Sequence, residues 1–271
     1  MNDFIHLNTK SDYSLSEGAL TIQKIADLCA DNNMPAIAVT DNNNLFGALE
    51  FSETISKAGI QPIIGAKIRI KTPNQYVIDP ENDSNNYFCI NLLSKNDRGY
   101  ENLLFLNSIS YTRHSSDNAF ITLEQLFTHK EGLILLTGGY ENIFNNLLFH
   151  NKYDWANSLL NNIKDEFNSN MYIEIQRIGD PVQIQSEKLL LKLSFQNEIP
   201  LVATNEVCFE NPDYYNAHEA LLCIDKKEYL SQANRQKFPK ETYFKSSEEM
   251  LETFIDLPEA IQNTIEIAKR C

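Results

Sequence analysis

With 271 residues, a net charge of −14 and 42% hydrophobic residues, the chain is long enough to bury a full core and is composed like a globular protein. The excess of acid argues against this segment gripping a phosphate backbone by itself, an affinity that comes mainly from Lys and Arg. No apolar run approaches bilayer-spanning length, the first ten residues lack a signal-peptide layout, and five cysteines without C-x-x-C spacing fit reduced thiols, so the expected compartment is the cytoplasm.

In chain order, Phe4 to Asn8 reads as a first short strand, followed by a polar turn at Ser11-Asp12-Tyr13-Ser14. Ile22, Ile25, Ala26 and Cys29 recur at helical spacing and predict a helix between Leu20 and Asn33. Ala36 to Thr40 is an apolar run short enough for a strand buried on both faces. It leads into the polar loop Asp41 to Asn44 and then a helix from Leu45 to about Ala58, capped by Gly59.

Gln61 to Ile70 predicts a third strand, and Thr72 to Asn86 a hairpin or loop. A strand at Tyr87 to Leu93 precedes a helix from Asp97 to about Tyr111, then a loop over Thr112 to Ala119. Thr122 and Gln125 have the spacing of a capping box for a short helix over Leu123 to His129. The strand at Gly132 to Thr137 ends in the glycine turn Gly138-Gly139, followed by helices at Glu141 to Phe149 and Asp154 to Phe167. Met171 to Gln176 and Pro200 to Glu206 are the last strands, separated by a helix over Gln183 to Asn197. Helices at Tyr214 to Cys223, Ser247 to Phe254 and Pro258 to Arg270 complete the chain.

Seven strand–helix repeats predict parallel βα units in an α/β fold, either an open doubly wound sheet or a barrel. No Gly/Pro/Ser linker divides residues 1–271, which reads as one domain, with the helices after about residue 212 leading towards something further. Cys271 follows a strong helix without a terminating signal, which is the pattern of a piece of a longer protein.

In such folds sites are built at the carboxyl ends of the strands. That rule gathers His6, Asn8, Lys10, Asp12 and Glu17 from the first unit, then Asp41 and Asn42, Lys67, Cys89, the Gly138-Gly139 turn, Glu206 and Cys208. A polynuclear hydrolase needs His and carboxylate ligands here to hold metals and activate water. Two asparagines, two lysines and two cysteines are a poor substitute, because an ammonium group repels a metal. Lys10 and Lys67 are expected to form ion pairs with Asp41, Glu17 or Glu206 in place of a metal. His6 reads as a core histidine, Asp41 equally as a helix cap or turn-amide acceptor or as a pocket residue, and the two cysteines as inert buried thiols. Lys226, Lys227, Arg235, Lys237 and Lys240 form a late basic cluster that reads as a solvated loop, and His218 reads as structural.

Several segments together resemble the PHP (polymerase and histidinol phosphatase) superfamily, and within it the N-terminal PHP domains of bacterial DNA polymerase III alpha subunits. They are His6-Leu7-Asn8-Thr9-Lys10-Ser11-Asp12-Tyr13-Ser14, Ala38-Val39-Thr40-Asp41-Asn42-Asn43-Asn44-Leu45-Phe46-Gly47 and Pro62-Ile63-Ile64-Gly65-Ala66. To these add Lys95 to Leu103, Tyr172 to Arg177, Val202 to Glu206 and Leu257 to Thr264. The resemblance implies a distorted seven-stranded β/α barrel. It also implies that the histidine-rich metal ligands of hydrolytic members are replaced here: Asn8 and Lys10 in the first strand, Asn42 after Asp41, and Lys67 after Ile64-Gly65-Ala66. Cys89 and Cys208 stand for later histidines and Glu206 for a final aspartate.

The function so implied is a structural and docking module of a replicative polymerase, with no catalytic residue, metal or cofactor of its own. The proofreading exonuclease subunit would dock on it, the polymerase part of the same chain would carry Mg²⁺, and DNA would be met only indirectly through the assembly. The alternative is an active metal-dependent phosphoesterase or pyrophosphatase using Asp41, Cys89, Glu206 and Cys208.

Overall fold

The structure, a computed structural model, describes residues 4–81, 86–112, 119–232, 235 and 237–271. The expected loop at 112–119 lies almost wholly outside the described residues. Helix α1 (Ile22–Asp31) starts at Thr21, whose hydroxyl accepts from the Lys24 amide, and buries the four residues whose spacing predicts it. Strand β1 (Ala36–Asn42) leads to α2 (Ala48–Lys57), β2 (Gln61–Lys71), β3 (Tyr87–Ser94) and α3 (Asp97–Thr112). The Thr122–Gln125 capping box opens α4 (Leu123–Thr128). Then come β4 (Leu133–Leu136), α5 (Ile143–Phe149), α6 (Tyr153–Phe167), β5 (Met171–Gln176), α7 (Pro181–Asn197) and β6 (Leu201–Thr204). Helices α8 (Tyr215–Lys226), α9 (Ser247–Thr253) and α10 (Pro258–Ala268) end the chain.

The strands form one curled sheet in the order β1-β2-β3-β4-β5-β6. One expectation is corrected here. The repeat is not uniformly parallel, because β3 runs antiparallel to both β2 and β4. Among the described residues only a single 3-10 turn, Asn74–Tyr76, lies between β2 and β3, and without an α-helix to carry the chain back across the sheet the strand returns antiparallel.

The ladder among the described residues also has six strands rather than seven. The expected first strand makes one isolated bridge, Thr9 to Val207. The segment is nevertheless bonded on both sides: His6 O accepts from the Ala38 amide and Thr9 O from the Thr40 amide. On the other side Asn8 O accepts from Val207, and the Lys10 amide donates to Val207 O. Ile5 and Leu7 join the apolar cluster inside the sheet, yet Asn8 and Lys10 reach the polar groups above it. Side-chain alternation therefore slips by one residue between Leu7 and Asn8, and regular strand geometry is lost.

The period of two sorts the concave face into layers. At one end, Ala38, Ile63, Leu93, Leu136, Tyr172 and Val202 pack with Ile267 and Ala268 of α10. Towards the other end the same alternation carries Lys67, Asn91, Cys89, Glu174, Gln176 and Thr204. The convex face packs on α1 to α7 in the main core. This arrangement raises a polar rim on an apolar plug.

Candidate functional site

Lys67 is the centre of the rim. Its Nζ lies 2.8 Å from Glu206 Oε1 and 2.5 Å from Glu141 Oε2, with the Tyr140 ring centroid 5.4 Å away. Lys67 and Glu206 are 3% and 1% exposed, so this charge pair is withdrawn from water, whereas Glu141 keeps 40% of its side chain exposed. Burial opposes the ammonium form of Lys67, but Glu141 and Glu206 outweigh it and hold its pKa well above the ordinary lysine value. Partial desolvation of its carboxylate raises Glu141, but the Lys67 ammonium outweighs it and holds Glu141 below the usual glutamate range.

Lys10, fully buried, donates to Thr40 O at 2.5 Å and stands 4.0 Å from Glu206 Oε1. Burial and the neighbouring Lys67 charge depress its pKa, so the second ammonium is the weaker cation. Burial also pushes the Cys208 thiol well above its usual value and Cys89 up to about 11, which makes both poor nucleophiles at neutral pH. Cys89 reaches the rim at the beginning of the reversed strand β3, opposite Arg69, and not at a strand's carboxyl end as expected.

Asp41 pairs with neither lysine. It accepts from the Ser11 amide and hydroxyl, both at 2.7 Å, and from the Ser14 hydroxyl at 2.6 Å. Its role is to fold the loop 11–14 onto the end of β1, as an Asx-type acceptor does. Glu17 likewise meets Asn42, which donates its side-chain amide, and burial raises the Glu17 pKa. The Glu17 carbonyl accepts from His218 Nε2 at 2.6 Å, fastening α8 to the rim. Asp12 is exposed and stands outside these bonds. Of the carboxylates expected to pair with the lysines, only Glu206 does so.

Asn8 belongs to a second buried cluster around Glu174, which is 0% exposed. Glu174 Oε1 accepts from Asn8 Nδ2 (3.1 Å), Gln176 Nε2 (3.1 Å) and Thr204 Oγ1 (2.5 Å). Its Oε2 accepts from Asn91 Nδ2 (2.9 Å) and the Gly138 amide (3.0 Å). Gly138 can present that amide because its φ is +99° and a Cβ would lie 1.9 Å from Cys89 O. Glu174, Glu141 and Tyr140 were not singled out from sequence. The alternation Tyr172-Ile173-Glu174-Ile175-Gln176 carries the signal for Glu174, since it places a carboxylate on the inward face.

Residues 6–178 match the PHP domain family. The chain belongs to that family. The PHP domain is 39% identical to DNA polymerase III subunit alpha of Caulobacter vibrioides, over 99% of this chain and 23% of the relative. It is 38% identical to the subunit of the same name from Rickettsia bellii, over 99% of this chain and 22% of the relative. The chain thus spans between a fifth and a quarter of the length of these relatives. Among solved structures, an amidohydrolase from Chromobacterium violaceum superposes with a TM-score of 0.49 at 11% identity, covering 80% of this chain and 96% of that one.

In the rim of this PHP domain ammonium groups face the carboxylates. Among the described residues no group of three or more His, Cys, Asp or Glu side chains is arranged to hold a metal ion. The carboxylates nearest each other already face an ammonium group, and Glu174 is saturated by neutral donors. Such an arrangement ties a loop, a glycine turn and three strands together. Among the described residues no helix is long and apolar enough to cross a membrane.

Proposed function

We propose that this PHP domain is a structural and docking module of a replicative DNA polymerase III alpha subunit in the cytoplasm, and that it has exchanged its family's metal centre for ion pairs. The observation that carries this reading is Lys67 seated between Glu206 and Glu141, with Lys10 behind it, where the family resemblance puts metal ligands. The irregular segment 4–10, bonded to both neighbours, would complete a distorted seven-membered β/α barrel beneath that rim. Nucleotidyl transfer would belong to acidic residues and Mg²⁺ in the polymerase part of the parent chain.

The partner is the proofreading exonuclease subunit of the same replicase. A net charge of −14 suits a module that stands beside DNA and meets it through that assembly. The test is to mix the purified chain with that exonuclease subunit and follow both by size-exclusion chromatography. Co-elution supports docking; separate elution of two folded proteins at micromolar concentration overturns it. Release of phosphate from a generic phosphoester, with metal added, would instead support the phosphoesterase alternative.

A further inference from the structure

Helix α7 carries a feature that the rim does not use. Its 17 residues have apolar side chains on both faces: Leu190 and Leu193 enter the core, while Ile184 and Phe195 are 67% and 86% exposed. Ile184, Lys188, Leu191 and Phe195 follow the spacing i, i+4, i+7, i+11, which places all four within an arc of about 60°. Leu191 is half-buried and Lys188 exposed. Scattered exposed apolar residues are ordinary on a soluble protein; a row along three turns of one helix has the geometry of a helix–helix seam.

Open grooves of 490 and 610 Å³ flank the two ends of the row, one beside Ile184 and Leu191, the other beside Phe195 and Pro200. Charge decides the occupant. Lys188 has no ion pair among the described residues, because the neighbouring Glu187 is engaged by Arg177 at 2.7 Å. Lys192, on the same side, has its ammonium over the Tyr153 ring at 5.0 Å. The flank carrying Lys188 and Lys192 is therefore basic, while the opposite flank carries Glu187, held by Arg177, and Glu198. A second copy is a poor fit: two-fold pairing centred on the row brings the two Lys188 side chains within about one helical turn of each other.

We propose that the outer face of α7 is a docking surface for an acidic amphipathic helix of another polypeptide. Its apolar residues lie between Ile184 and Phe195, and its carboxylates face Lys188 and Lys192. This mode takes affinity from the apolar anchors and register from the charges. It needs nothing from the rim, so the two readings stand or fall separately.

The test uses a fluorescent helical peptide of about 18 residues, with Leu at seam spacing and Glu flanking it, and a twin with Lys in place of Glu. Each is titrated into the chain by fluorescence anisotropy. The acidic peptide is expected to saturate and the basic twin to bind at least about tenfold more weakly. Phe195→Glu, whose side chain is already exposed and which should leave the circular dichroism unchanged, is expected to weaken the acidic peptide at least about tenfold. Lys188→Glu is expected to reverse the preference. No saturable binding, equal binding of both peptides, or indifference to Phe195→Glu overturns the proposal. Concentration-dependent dimerisation that Phe195→Glu abolishes would assign the face to a second copy instead, and overturn it equally.

Discussion

Substituting Lys67 by Met tests whether the rim is held by its ion pairs. The methionine keeps most of the aliphatic volume and removes the ammonium that Glu206 and Glu141 face at 2.8 and 2.5 Å. Removing one partner of a buried pair costs about 3–5 kcal/mol, because the other charge is left unpaired out of water. Two features put this case at the lower end, about 3 kcal/mol. Lys10 remains 4.0 Å from Glu206, and Glu141 has 40% of its side chain exposed and can turn to solvent. Against a stability of about 5–15 kcal/mol, the loss should appear in urea unfolding as a lower midpoint with an unchanged slope. Adding Glu206→Gln removes the orphaned charge, and the double variant should be more stable than the sum of the single losses by at least about 1 kcal/mol. A Lys67→Met protein within about 0.5 kcal/mol of the parent, or strictly additive losses, would refute the reasoning.

Other consequences can be checked on the same protein. Glu174→Gln turns an amide towards the Asn91 amide and the Gly138 N–H, leaving donors facing donors, and is expected to cost about 2–3 kcal/mol in thermal or urea unfolding; a neutral result would show that the five-donor cage is not needed. His6 is buried between Phe4 and Phe244 and its pKa is lowered to about 4. A depressed folded pKa means that the unfolded chain binds more protons between pH 6.5 and 4, so stability is full above that window and falls as pH drops through it. The loss is about 3 kcal/mol for His6, with His218 shifted in the same direction. A His6→Gln variant should show a flatter profile in urea titrations across that range; an identical slope would contradict the assignment. All five cysteines are free, and burial raises Cys29 to about 12 and Cys89 to about 11. Reaction with a thiol reagent at neutral pH should be slow in the native protein and complete in denaturant, whereas a fast native thiol would count against the buried rim.

Much of this was legible in the sequence because local rules and tertiary packing agree. The Ile22, Ile25, Ala26 and Cys29 spacing and the Thr122–Gln125 box needed no tertiary information. The direction of β3 did not follow from periodicity, since an apolar strand reads the same both ways; the missing crossover helix after β2 was the decisive signal. The slip between Leu7 and Asn8 is likewise invisible locally, because it depends on which neighbours bond the segment. In the rim, Lys67 with Glu206 was anticipated from the strand ends. Of the roles open to Asp41, the turn-amide acceptor is the one the structure shows, and its pairing with a lysine is not, because Ser11 and Ser14 fold back onto the end of β1 and occupy both carboxylate oxygens. Glu141 was hidden in a helix start, and the glycine turn before it turned its side chain onto Lys67.

The central claim is that ammonium groups occupy the ground where a divalent cluster would sit. Elemental analysis of the purified chain, after equilibration with zinc, manganese and iron and removal of excess, addresses it most directly. The account predicts no stoichiometric metal, whether or not Glu206 is replaced by Gln. Retention of whole equivalents that disappear in Glu206→Gln would contradict it.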